Sequence, residues 1–316
     1  MLKVALVGVG GVSWAHLQAW ESMADVELVA LCDVRPQQME GHPNQRHYTD
    51  YIEMLDKEEL DILDICLPSY LHADAAVAAL ERGIHVLCEK PISLNKADVR
   101  RVYDTAAAHG VNFMVAQVLR FWPEYEVLKN IYDKQTYGKL LSGRMHRLGF
   151  CPQWSWDGWM QDEKRSGLVP FDLHVHDCDF MVYAFGRPKT MTQDRCKRAE
   201  QDYLAVTYRY PDFFITAEAS WYAPGCYPFQ AGFRFQFERA VVEWKDGRLV
   251  AYPVGEAPIA LMEQTSFTEG VINLTDMGPY ANEIRYFADC VLQGVPCDKV
   301  KAEELETVLD LIYANL

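Results

Sequence analysis

The feature that most restricts this chain is a regular exchange of strand and helix patterns over residues 1–120, with a glycine-rich turn at the first exchange. Residues 2–7 (LKVALV) read as a buried strand, residues 12–22 as a helix, and residues 26–32 (VELVALC) as a second strand. The pattern repeats with a strand over 61–66, a helix over 71–82 and a strand over 84–88. A helix over 96–109 and a strand over 111–118 complete it. Gly83 and Gly110 follow their helices, where a left-handed cap favours glycine. Asp50-Tyr51-Ile52-Glu53 resembles a capping box opening a further short helix. Strand and helix in strict alternation predict an α/β unit, a doubly wound parallel sheet with helices on both faces.

The turn itself is Gly8-Val9-Gly10-Gly11-Val12-Ser13. The first glycine allows a tight bend, and the second lets backbone approach a pyrophosphate. The helix that follows offers free N–H groups and the positive end of its dipole. A bare G-x-G occurs in many turns, so the context decides. Here it lies between a strand and a helix, and the next strand ends in an acid, Asp33. A carboxylate there accepts the adenosine-ribose hydroxyls and repels a 2′-phosphate, which points to NAD. Arg35 offers a cation to that phosphate and keeps NADP as the alternative.

After Arg120-Phe121-Trp122-Pro123 the character changes. One helix over 124–134 precedes longer β-like runs at 140–150, 203–210, 213–221 and 233–244, interrupted by a helix over 171–185. Two amphipathic helices close the chain, one through Tyr280, Ile284, Phe287 and Val291, the other through Leu305, Val308, Leu309 and Ile312. The expectation is a dinucleotide-binding domain at 1–120 and an α+β domain at 121–316. The second would be built on a large, mostly antiparallel open sheet.

Composition narrows the partners. A formal net charge of −15 over 316 residues argues against a nucleic acid, whose recognition rests on Lys and Arg at phosphates. No run approaches the roughly 18–20 apolar residues of a membrane span. The chain opens into a core strand with no secretory pattern, so a cytoplasmic location is expected. Nine scattered cysteines without a C-x-x-C pair read as reduced thiols. His174 and His176 sit at i and i+2, about 200° apart on a helix, so no shared metal is expected.

At Cys88-Glu89-Lys90-Pro91 the reading becomes specific. Residues 62–93 (ILDICLPSYLHADAAVAALERGIHVLCEKPIS) resemble the matching stretch of the Gfo/Idh/MocA oxidoreductases, which include glucose–fructose oxidoreductase and inositol dehydrogenase. Asp172-Leu173-His174-Val175-His176-Asp177-Cys178-Asp179 is similar to that family's Asp-x-Gly-x-His-x-x-Asp segment, with His174 in place of glycine. Fainter similarity lies at 120–123 and 280–287.

On its own, a Lys before Pro reads most often as a solvated turn residue, and an Asp/His pair on one helix face as a surface pair. The resemblance implies catalytic roles. His176 would be the general base, Lys90 the oxygen-polarising and proton-sharing group, and Asp172, at i and i+4 from His176, its orienter. It implies further that Lys90 and His176, from the two halves, converge on the nicotinamide.

Gly8, Gly10, Gly11, Val12, Asp33, Arg35, Pro68, Ser69, His72, Glu89, Lys90 and Gln117 are the candidates for holding the cofactor. Trp156 and Trp159, from a loop of three tryptophans, are substrate candidates with His174 and Asp179. The tryptophans could equally anchor that loop against the domain. Asp157, Lys164 and Arg165 lie near them for hydroxyl groups, while Arg144 and Arg147 leave an anionic substrate open.

The expected function is hydride transfer between NAD and a hydroxyl or keto carbon of a sugar, cyclitol or related polyol. The alternatives are a nucleotide-sensing module without turnover and an NAD-dependent glycosidase. The resemblance also implies a homodimer or homotetramer, formed through the open face of the second sheet. Phe233, Phe235 and Phe237 would suit that covered face or the monomer core.

Overall fold

A computed structural model of the chain describes residues 1–262 and 278–314. They form two compact units. The first contains Met1–Val118 and the late segment up to Glu306, and the second starts at Leu119 and resumes at Thr307. The expected boundary after residue 120 lies within two residues of the first change of unit. The contiguous division does not hold further on, because residues 278–306 return to the first unit. An amphipathic pattern shows that a helix needs an apolar partner surface. It does not say which surface.

The first unit runs β1 (Leu2–Val7), α1 (Ser13–Glu21), β2 (Val26–Cys32), β3 (Arg46–Tyr48), α2 (Tyr51–Lys57), β4 (Ile62–Ile65), α3 (His72–Leu80), β5 (His85–Glu89), α4 (Lys96–His109) and β6 (Phe113–Ala116). The strands make a parallel sheet in the order β3-β2-β1-β4-β5-β6. β1 therefore pairs with β2 on one side and with β4 on the other, Val7 opposite both Cys32 and Ile65. This is the point where the strand order reverses, and ligands of such sheets bind outside the carboxyl ends there.

The helix ends follow local chemistry. Asp50 caps α2 by accepting from the Ile52 and Glu53 backbone N–H groups, and Asn95 caps α4. Gly110 ends α4 in the left-handed region, φ 66°, ψ 30°.

The second unit contains α5 (Pro123–Asp133), β7 (Leu140–Phe150), α6 (Glu163–Ser166) and α7 (Val175–Phe185). There follow β8 (Thr190–Arg198), β9 (Gln201–Arg209), β10 (Phe214–Tyr222), β11 (Gln230–Phe237), β12 (Ala240–Lys245), β13 (Arg248–Pro253) and β14 (Ile259–Ala260). The eight strands are ordered β14-β13-β12-β11-β7-β10-β9-β8, antiparallel throughout except for β7 beside β10. The chain closes with α8 (Gly278–Gln293), in the first unit, and α9 (Ala302–Tyr313), within which the change of unit falls. No helix of the described residues is long and apolar enough to cross a membrane.

Two expectations about the sheet change. The run at 233–244 is a hairpin, β11 and β12, with Phe233 opposite Trp244. The edge strand β8, sequence TMTQDRCKR, was not expected, because no position in it is fully buried and it carries no apolar alternation.

Phe233, Phe235 and Phe237 are all buried. Phe233 meets Tyr125 of α5 edge-on, and Phe235 stacks on Phe185 of α7. Of the two readings of these aromatics, the core of their own unit holds.

Within that core the Arg120 guanidinium meets Asp179 fork to fork, Nε to Oδ2 at 2.8 Å and Nη2 to Oδ1 at 2.6 Å, and lies over the Tyr183 ring. Both side chains are buried. Removing one partner strands the other charge out of water. Asp179→Leu is therefore expected to cost about 3–5 kcal/mol by urea unfolding, and adding Arg120→Met to recover much of that loss.

Candidate active site

The glycine-rich turn leaves β1 with Gly8 at φ +90°, where an added Cβ would lie 2.6 Å from the Cys66 carbonyl carbon and oxygen. The turn is pinched against the chain leaving β4, and only glycine fits. At Gly10 the same construction meets nothing within 4 Å. Backbone is therefore accessible at Gly10, as close approach of a pyrophosphate requires. Past Gly11 and Val12, α1 starts with no side-chain cap and no acid in its first turn, so its N–H groups suit an anion. Ser13, buried at the third fingerprint position, donates from Oγ to the Gly10 carbonyl at 2.7 Å. The residues present fit a dinucleotide pyrophosphate.

Asp33, at the end of β2, accepts from the Val9 N–H (3.0 Å) and the Arg35 N–H (2.8 Å). The Arg35 guanidinium also pairs with it. The cation that would welcome a 2′-phosphate is thus tied to the carboxylate that would repel one.

Past β4, Pro68 precedes a single 3-10 turn, Ser69–Leu71, with Ser69 buried in it. His72 and Glu89, both cofactor candidates, make hydrogen bonds within the unit. His72 is buried and places its ring nitrogens 2.6 Å from the Leu67 carbonyl oxygen and 2.8 Å from that of Pro91. Burial holds its pKa below the ordinary value, so the neutral ring donates to one of these two carbonyls. The Glu89 carboxylate turns inward, with Oε1 3.1 Å from His16 Nε2 and Oε2 accepting from the Lys90 N–H at 3.0 Å. Gln117, just past β6, is buried as well. Lys90 follows β5 directly, half-buried at the carboxyl end of the sheet.

In the second unit the helix through Asp172 and His176 is not a regular α-helix. Residues Pro170–His174 form a π turn, and α7 begins at Val175. The i, i+4 geometry expected for Asp172 and His176 assumed α-helical turns throughout, and the wider π turn changes that relation. Asp172 accepts from the Trp221 indole N–H at 3.3 Å, an anchor on β10 that spacing could not show. Both Asp172 and His176 are half-buried.

His174 and Asp179, the other two substrate candidates, find partners within the unit. His174 is buried with Nε2 2.6 Å from the Tyr208 hydroxyl, and Asp179 holds Arg120. The positions next to His176 are spent on the core.

Trp156 is exposed and Trp159 half-buried, in a 3-10 segment, Trp156–Gln161, that bends at Asp157 and Gly158. Arg165 pairs with Asp157 and Asp162, bracing that loop. Arg144 pairs with Glu218 across the sheet, and buried Arg147 with Asp177, so their charges are balanced within the fold.

Residues 2–117 match a family model described as an oxidoreductase family with an NAD-binding Rossmann fold, and residues 125–243 match the GFO/IDH/MocA C-terminal domain. The chain belongs to the Gfo/Idh/MocA oxidoreductases. Among curated relatives, this Gfo/Idh/MocA protein is 28% identical to D-apiose dehydrogenase of Paraburkholderia graminis, over 58% of its own chain and 50% of that one. It is 28% identical to inositol 2-dehydrogenase of Salmonella typhimurium, over 69% and 64% respectively. It thus spans between half and two thirds of the length of these two curated relatives. The solved structure of levoglucosan dehydrogenase with NADH and levoglucosan superposes with a TM-score of 0.84 at 18% identity, covering 99% of this chain and 95% of that one.

Two outcomes test the geometry. Gly8→Ala is expected to destabilise this Gfo/Idh/MocA protein by about 2–4 kcal/mol and to abolish NAD binding, read by calorimetry. Burial brings the His174 pKa down to about 4. The unfolded chain protonates there near pH ~6.5, so stability falls as pH drops from that value toward 4. Between pH ~7.5 and ~5 the site is expected to cost about 2 kcal/mol of urea stability, and His174→Phe to flatten that slope.

Proposed function

We propose that this protein oxidises a secondary hydroxyl of a sugar, cyclitol or related polyol, with NAD in preference to NADP. The observation that carries the reading is Lys90. It sits directly after β5, at the carboxyl end of a parallel sheet whose switch point carries a phosphate-fitting glycine turn. The relatives named for apiose, inositol and levoglucosan support the substrate class.

The chemistry follows from the residue types. Bound NAD would supply the acceptor for the hydride of the carbinol C–H bond. The hydroxyl proton has to leave, and His176 is the base assigned to take it. The Lys90 ammonium stabilises the alkoxide as its charge develops. Asp172, held by Trp221, orients His176. The Asp33 carboxylate favours the free ribose hydroxyls of NAD, and Arg35, paired to it, is not offered to a 2′-phosphate. Trp156 and Trp159 supply flat apolar faces for sugar C–H groups.

For assembly, the outer face of the second sheet bears the exposed aromatics Tyr203, Phe214 and Tyr252. We assign a homodimer or homotetramer through that face, which sedimentation at micromolar concentration tests.

A screen of aldoses and inositols with NAD, followed at 340 nm, is expected to give net NADH from at least one of them. Lys90→Met and His176→Ala should each lower kcat by about a hundredfold or more while NAD affinity stays within about threefold. Near wild-type rates in both variants would refute the assignment. Asp33→Ala is expected to narrow the NAD-over-NADP ratio of kcat/KM by about tenfold or more.

A further inference from the structure

His16 projects from α1, one turn past the glycine-rich turn, and its imidazole is fully buried. Nδ1 lies 2.8 Å from Asp64 Oδ2, on β4, and Nε2 lies 3.1 Å from Glu89 Oε1, at the end of β5. The Trp20 indole N–H, one turn further along α1, donates to the same Asp64 oxygen at 2.6 Å. The second oxygen of Glu89 accepts from the Lys90 backbone N–H at 3.0 Å. One helix therefore grips the acid in the middle of the sheet and the acid beside Lys90.

Both partners of the ring are carboxylates. Ionised carboxylates only accept, so a ring between two of them donates from both nitrogens and is an imidazolium. The surrounding charges agree. Burial works against the cation, yet the charge of Asp64 and the hydrogen bond to it carry the His16 pKa well above its ordinary value, while burial pushes the Cys66 thiol up to about 12 and keeps it neutral. Burial likewise works against ionised Glu89, but its bond to His16 brings its pKa below the usual carboxylate range. Cys88 and Lys90 also face this cluster, and the Tyr280 ring of α8 lies 6.0 Å from the imidazole.

His16, Asp64 and Cys66 offer ligand-type atoms within 4.8 Å of one another. Two ligands on one zinc ion at bonds of roughly 2.0–2.2 Å stand well over 3 Å apart. The 2.8 Å between His16 and Asp64 is a hydrogen bond.

We propose that His16 is a positioning residue, an imidazolium bridge from Asp64 to Glu89 that fixes the Glu89–Lys90 backbone and so the point from which Lys90 acts. The role in turnover rests on the dehydrogenase reading above, while the bridge itself stands on the geometry of the first unit alone. A displaced lysine weakens alkoxide stabilisation without touching the pyrophosphate turn, so kcat should fall while cofactor affinity holds.

Two measurements decide it. In steady-state kinetics with NAD and a polyol that the protein oxidises, His16→Asn and Glu89→Gln are each expected to lower kcat by about ten- to a hundredfold, with the NAD Kd within about threefold. The double variant should be no slower than the worse single one, because both changes remove the same bridge. Losses that multiply, or an NAD Kd that rises in step with the loss of kcat, would overturn the positioning role. In ¹⁵N spectra of the wild type at pH ~8, above the ~6.5 of an ordinary imidazole, both His16 ring nitrogens should still be protonated. A singly protonated ring overturns the bridge whether or not the protein turns over. A doubly protonated ring in a protein inactive on every polyol leaves the bridge standing and removes the dehydrogenase reading instead.

Discussion

An acid in the centre of a parallel sheet has to find its hydrogen bonds inside the protein, and Asp64 finds them on α1. β4 lies between β1 and β5, and its four residues are all buried. An uncompensated carboxylate there would cost several kcal/mol. That is comparable with the roughly 1.5–3 kcal/mol contributed by burying each of its neighbours Ile62, Leu63 and Ile65. His16 and Trp20 remove the penalty by reaching Asp64 from the helix that also carries the phosphate-facing N–H groups. The same imidazole reaches Glu89 and, through it, the backbone of Lys90. Sheet, nucleotide turn and lysine corner are joined by one side chain.

The second unit handles its buried charges in the same way. Along α7 and the π turn before it, Asp179 holds Arg120, Asp177 holds Arg147, and His174 holds the Tyr208 hydroxyl. These bonds fix the helix against the sheet and against residues leading into α5. Asp172 and His176 remain half-buried, the first anchored by an indole on β10. Burial therefore separates the residues of one motif into a buried framework and a half-buried pair, although their letters look alike in the chain.

The alternating pattern, the glycine turn and the acid at position 33 made the first unit readable, because each depends on contacts within a few residues or on a period of two or 3.6. Strand 26–32 and helix 96–109 coincide with their patterns. The hairpin hidden in 233–244 and the edge strand β8 did not show, since the first lacks a glycine or proline at its bend and the second has no buried face. The inward bonds of Glu89 and His72 did not show either. A polar residue near a motif can point either toward a ligand or into the fold, and only its partners decide.

Local sequence determined a nucleotide-binding parallel sheet, its glycine turn, and a lysine at the carboxyl end of a strand, because these are set by short-range sterics and periodicity. Tertiary structure alone decided which polar side chains are spent on one another. It paired His16 with residues 48 and 73 positions away, sent helix α8 back to the first unit, and bent the Asp172 segment into a π turn. Those outcomes depend on which distant surfaces meet, and the need to satisfy every buried charge selects among them.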